Sequence, residues 1–193
     1  MLASQRGRML EAMAEVVAEK GYGPATVADV ITKAGVSRKT FYEQFRDKED
    51  CFLAAYDAGV ELMLAALLEV PLGDDLLEMA RARTRAYLEA LASEPSFART
   101  FLIEVAAAGP AALERREAVH DRFAAMLRET LVAARARLPE LPDPPDEVFL
   151  AAVGATNAVV SRLVAEGRTA DLPALEDVIL RIQLALLVGI GPR

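Results

Sequence analysis

Arg38, Lys39, Tyr42 and Gln44 lie within one short segment and carry side chains suited to reading or holding a polyanion. A cation at the start of a helix can reach the O6 and N7 acceptors of guanine, and a glutamine can pair with adenine or bridge to a phosphate. Tyr42 places a hydroxyl at the end of a rigid ring. Lys48 stands where a following helix begins, so backbone N–H groups and the helix dipole would add to its attraction for an anion. Both read as phosphate clamps. Upstream, Arg6 and Arg8, with Ser4 and Gln5, read as a short polar arm ahead of the first helix, within reach of a DNA backbone or minor groove. The same charges on a solvated helix face would carry no such meaning, so the elements that hold them decide.

Those elements are legible. Thr26 is a good N-cap and Asp29, three residues on, can complete a capping box, with Val27, Val30 and Ile31 at helical spacing behind them. Gly35 ends that helix, because the reversal needs a backbone conformation most residues resist. Ser37 caps the next helix. Its Phe41 and Phe45 are one turn apart and face inward, which turns Arg38, Lys39, Tyr42 and Gln44 outward. The pattern is a helix-turn-helix with a groove-facing second helix.

Ala34-Gly35-Val36-Ser37, then Thr40-Phe41-Tyr42, then Phe45 and Lys48-Glu49, run in order behind one amphipathic helix. This arrangement resembles the signature of the TetR family of bacterial one-component transcriptional regulators. Lys39 departs from the family pattern, where a small residue or proline is frequent, and the departure bears on base preference. The resemblance implies an all-α fold with an N-terminal three-helix helix-turn-helix DNA-binding domain, residues 1–48, followed by a helical effector-binding and dimerisation domain, residues 49–193. It also implies a repressor that needs no cofactor and releases a palindromic operator when a small molecule binds. The residues expected at double-stranded operator DNA are Arg6, Thr26, Ser37, Arg38, Lys39, Thr40, Tyr42, Gln44 and Lys48. Around a largely apolar effector the expected set is Met79, Arg83, Tyr87, Phe97, Phe101, Glu104, His120, Phe123 and Asn157. Aromatic and sulfur side chains would surround it while Arg83, Glu104, His120 or Asn157 orient it. The same aromatic stripe also fits plain packing, and a lone histidine among apolar neighbours is often hydrogen-bonded inside a core.

A net charge of -7 is unusual for a nucleic-acid binder. Its distribution resolves the conflict: residues 1–50 hold eight Lys or Arg against eight Asp or Glu, and all four lysines, so the excess acid lies entirely in residues 51–193. An acidic body behind a neutral head suppresses nonspecific sliding and makes binding depend on geometry.

The chain of 193 residues, 53% hydrophobic, is long enough for a small module plus a larger helical body. Helical periodicity predicts a long helix from Asp47, boxed by Asp50, to Val70, broken by Pro71-Leu-Gly73. Next come a helix with Leu77, Ala80, Thr84, Tyr87 and Leu91 on one face, and a short one carrying Phe97, Phe101 and Val105. A longer one runs to Leu138 with Leu113, Phe123, Leu127, Leu131 and Leu138 inward. The last two helices are expected at 146–166 and 172–190. Ala151, Gly154, Ala155 and Ala158 form a small-residue face on the first. The second is apolar on two sides, with Leu175, Ile179, Ile182 and Leu186 on one and Leu180, Leu184 and Leu187 on the other. One side needs a partner, which predicts a homodimer through these two helices. Residues 51–70 are interrupted by Asp57, Glu61 and Glu69, and Glu11 and Glu15 interrupt the apolar start, so neither a membrane span nor a signal peptide is expected, and the chain is expected to be cytoplasmic. Cys51 beside Phe52 reads as a buried thiol.

Two other functions fit parts of the chain. Glu117-Ala-Val-His120 has the Glu-x-x-His spacing of di-iron bundles, but His120 is the only histidine, so a second such motif and a helical metal enzyme are not expected. A relative turned into a protein-interaction module without operator binding is opposed by Tyr42, Lys48 and the added cation Lys39.

Overall fold

The structure, a computed structural model, describes residues 4–70 and 75–189. Its helices are α1 (Gln5–Lys20), α2 (Val27–Ala34), α3 (Arg38–Gln44), α4 (Lys48–Leu68), α5 (Leu76–Ser93), α6 (Pro95–Leu102), α7 (Pro110–Arg135), α8 (Asp146–Ala165) and α9 (Glu176–Leu187), and no strand occurs among the described residues. Short 3-10 turns, Glu104–Ala107 and Thr169–Leu175, precede α7 and α9.

The head folds as its local chemistry dictates. The Thr26 hydroxyl accepts from the Asp29 N–H at 3.2 Å while the Asp29 carboxylate accepts from the Thr26 N–H at 3.0 Å, closing the capping box. Gly35 takes the left-handed conformation (φ 63°) that lets the chain reverse into α3. Ser37 Oγ accepts from the Thr40 N–H at 3.0 Å. The box at the start of α4 is skewed by one residue: Asp47 caps the Asp50 N–H at 2.9 Å, but Asp50 reaches back to the N–H of Arg46, at 2.9 Å, rather than to Asp47.

Ser4 is the N-cap of α1, so Gln5, Arg6 and Arg8 belong to that helix and do not form an arm ahead of it. One continuous core joins the head to the body, with Met9, Phe41, Cys51, Phe52, Tyr56, Leu88, Val105 and Ile179 in a single cluster, so it crosses the expected division at residue 48 without a break. Burial pushes the Cys51 thiol up to about 12, the state of an inert core sulfur.

Several expectations for the body need correction. Leu77 and Leu138 are exposed, the latter lying beyond the end of α7. Residues 172–175 form 3-10 turn with Pro173 inside it rather than the first turn of the last helix. The buried set on α9 is Ile179, Leu180 and Leu187, drawn from both expected faces, while Val178 and Leu186 stand open. The break at Pro71–Gly73 and the run to Ile190 fall outside the described residues. By length and composition α4 and α8 could each cross a membrane. Asp57 and Glu61 of α4 instead pair with Arg115 and Arg122 of α7.

Candidate functional site

Two sites emerge, a charged surface on the head and a cavity in the body. On the head, the lysines of α1 and α2 are committed to scaffold ion pairs, Lys20 to Asp29 at 2.6 Å, and Lys33 to Glu15 at 2.8 Å and to Glu19. Lys20 and the Thr26 cap hold the Asp29 carboxyl down at about 2. The cations of α3 remain open. Lys39 has 87% of its side chain exposed and meets Glu43 only at 3.8 Å. Arg38 lies over the Tyr42 ring, 5.6 Å from its centroid, and Tyr42 is itself exposed, as are Ser37 and Gln44. Arg46, in the turn after α3, meets Asp50 at 3.6 Å but has 85% of its side chain exposed and joins this surface. Sequence reasoning passed over it because it follows the helix rather than falling within its pattern.

Other predicted DNA contacts have structural employment. The Lys48 ammonium turns inward, donating to the carbonyls of Tyr22 at 2.8 Å and Gly23 at 3.3 Å, and sits 4.1 Å from the centre of the Tyr22 ring. It ties the start of α4 to the turn between α1 and α2 as much as it offers a charge. Arg6 stacks 4.5 Å from the centre of Phe45 and reaches the Gln44 carbonyl at 3.5 Å, so it braces the end of α3. Thr26 is taken up by its capping box, and the Thr40 hydroxyl pairs with that of Ser37 at 2.8 Å.

The body holds a cavity of about 100 Å³ between α4, α5, α6, α7, α8 and α9. Six of the nine residues expected around an effector line it: Arg83, Tyr87, Phe101, His120, Phe123 and Asn157. Leu67, Thr84, Met126, Leu127, Thr130, Thr156, Ile179 and Gln183 complete much of the wall. Those on α8 and α9 escaped the sequence reading, since nothing local says which distant helices will converge. Tyr87 and Phe123 meet edge to face, 5.9 Å between centroids. Burial raises the Tyr87 hydroxyl above its ordinary range, and burial with the nearby Arg116 charge lowers the His120 imidazole, so both are held neutral near neutral pH.

Met79, Phe97 and Glu104 are not on this wall. Met79 is buried in packing. The Phe97 ring stacks on Phe101 at 5.4 Å and occupies the notch opposite Gly59, where a Cβ would come within 1.9 Å of a ring carbon. Glu104 joins body to head: buried, it accepts from the Tyr22 N–H at 2.9 Å and pairs with Arg99 at 3.3 Å. Glu117 is exposed beside half-buried His120, and among the described residues no three His, Cys, Asp or Glu side chains gather to hold a metal.

A sequence model described as "Bacterial regulatory proteins, tetR family" matches residues 9–55, from within α1 into α4. The curated "HTH-type transcriptional activator FasR" of Mycolicibacterium smegmatis is 30% identical over 63 residues, 33% of this chain, and the chain spans 29% of that relative's length. Across the whole chain the fold is similar to that of the fatty acid degradation regulator FadR of Bacillus halodurans (TM-score 0.85, 20% identity, 100% of both chains covered). It is also similar to FadR of Bacillus subtilis solved in complex with stearoyl-CoA (TM-score 0.76, 20% identity, 95% and 98% covered). Residues 9–55 thus match the model of the tetR family of bacterial regulatory proteins, and the helices behind them share the fold of the solved regulators.

Proposed function

We propose that the chain is a ligand-responsive, DNA-binding transcriptional regulator acting as a homodimer on a near-palindromic operator in the cytoplasm. The observation that carries this reading is the exposure of cations on the head: Lys20 and Lys33 are held in close scaffold ion pairs, while Arg38, Lys39 and Arg46 extend into solvent around Tyr42, the last two making only long contacts to Glu43 and Asp50 within their own segment. Phosphate contacts would come from Tyr42, Ser37 and Arg46, and base contacts from Arg38, Lys39 and Gln44. Dimerisation through α8 and α9 is supported by the open small residues Ala151, Gly154 and Ala158 beside exposed Leu150, Val178 and Leu186.

A ligand in the cavity would act through shared elements. Leu67 on its wall belongs to α4, which starts in the head, and Phe101 belongs to α6, whose Thr100 hydroxyl donates to the Ala14 carbonyl of α1 at 3.2 Å. Displacing either helix changes the separation of the two α3 helices in the dimer, which must match successive major grooves about 34–36 Å apart. The predominantly apolar wall, and the stearoyl-CoA bound by the B. subtilis protein, support an effector with an apolar body such as an acyl chain. Repression follows if the ligand releases the operator. The test is a reciprocal titration on operator fragments selected from genomic DNA, because a ligand that weakens operator binding must itself be weakened by operator to the same degree. Release fits a repressor relieved by its ligand, a tightened complex would contradict release as the switch, and a ligand affinity that operator leaves unchanged refutes the coupling.

A further inference from the structure

The cavity wall has an electrostatic asymmetry that its apolar character conceals. Among the described residues its ionisable groups are Arg83 and His120 with the weakly acidic Tyr87, and no aspartate or glutamate lines it. Among the same residues Arg83 makes no ion pair, its hydrogen bond runs to the Thr130 hydroxyl at 2.5 Å, and its Nε is buried with no acceptor. Glu129 on α7 is the acid whose field reaches the guanidinium, but it is exposed and off the wall. An arginine cannot discard its charge by deprotonating, so it retains an unmatched cation and unused donors. Several other arginines of the body are paired, as with Arg81 and Arg85 on Glu176 and Arg122 on Glu61.

Arg83 meets Thr130 at one level of the wall, and Tyr87, one turn further along α5, meets Phe123, two turns earlier on α7, at another. Along α7 the lining runs from His120 to Thr130, about 15 Å at helical rise.

Resting on the effector reading above, we propose that this cavity takes an apolar monocarboxylate as the free acid, its carboxylate received by Arg83 and Thr130 and its apolar body laid along Phe123 and Phe101. A planar guanidinium offers a carboxylate two parallel N–H donors. Neither a thioester linkage nor an alcohol offers a charge to match the half-buried cation, so the same body without the acid should bind more weakly.

Isothermal titration of the full-length protein with decanoate against decanol, and phenylbutyrate against phenylbutanol, tests the assignment, with decanoyl-CoA as a further arm. In at least one pair the acid should bind roughly ten- to hundredfold more tightly than its alcohol. Arg83→Met should lose the preference for acid over alcohol. A second reading needs no variant: the carboxyl carbon of bound, labelled decanoate or phenylbutyrate, followed by NMR, should stay ionised to lower pH than in the free acid. Acid and alcohol binding equally, preference retained in Arg83→Met, or decanoyl-CoA binding more tightly than decanoate would each overturn the carboxylate assignment while leaving a ligand cavity in place. Failure of every ligand to bind would instead remove the effector reading on which the assignment stands.

Discussion

Lys48 places most of its ammonium's hydrogen bonding inside the head, on the carbonyls of Tyr22 and Gly23. Lys48→Ala should therefore lower the thermal midpoint of the free protein as well as its affinity for every DNA sequence, and unfolding monitored beside fluorescence anisotropy would reveal both. Tyr42→Phe, at an exposed ring, should weaken DNA binding with little change in stability. Arg38→Ala and Lys39→Ala should instead relax preference at particular base pairs, by about 1–3 kcal/mol for each lost bidentate contact. Equal losses on all sequences would assign both residues to phosphate. In the body, Gly59→Ala puts a methyl group into the Phe97 ring and should cost about 1–3 kcal/mol by chemical denaturation. At this scale the sequence was most readable where partners are near in the chain. The caps at Thr26, Ser37 and Asp47 all formed, because each needs only the next turn of backbone. Glu104 was misplaced because its partner, Tyr22, is 82 residues away.

Between elements, the hold of α9 on α5 is electrostatic at one end. Arg81 and Arg85 of α5 converge on Glu176 at 2.8 and 2.7 Å, and their guanidinium groups hold its carboxyl at about 2 rather than the ordinary 4.5. A carboxylate depressed by folding stabilises the native state above its unfolded pKa and loses that contribution as pH falls toward the folded value. Glu176→Gln should thus be less stable than the wild type at neutral pH, with the gap narrowing from about pH 4.5 and closing near pH 2 in denaturant titrations. A gap that is constant across this range would show that the carboxylate's charge contributes nothing. Helical periodicity placed nearly every element, since spacing and breakers are local properties. It could not anticipate that Leu172–Leu175 would tighten into 3-10 turn, nor which faces of α9 would be covered, because both depend on how α5 and α8 pack against that segment.

As a whole molecule, the proposed dimer needs two heads at a fixed separation, and the open face of α8 and α9 is where a second copy would sit. Ala151→Arg or Leu186→Glu, both on exposed positions, should yield folded monomers with little operator affinity in analytical ultracentrifugation and anisotropy. A wild type that remains monomeric at micromolar concentration and protects an isolated half-site would contradict this assembly. The acidic body behind a charge-balanced head further makes nonspecific binding weak, so sequence selection should be sharp even at moderate salt.

That selection is the most direct test of the central claim, a dimer reading DNA through α3. Purified protein incubated with fragmented genomic DNA and recovered should enrich one near-palindromic motif, its half-sites about one helical turn or a multiple apart. Arg38→Ala and Lys39→Ala should alter the bases enriched within each half-site. Recovery of fragments with no common sequence, or of the same motif unchanged by both substitutions, would contradict the account.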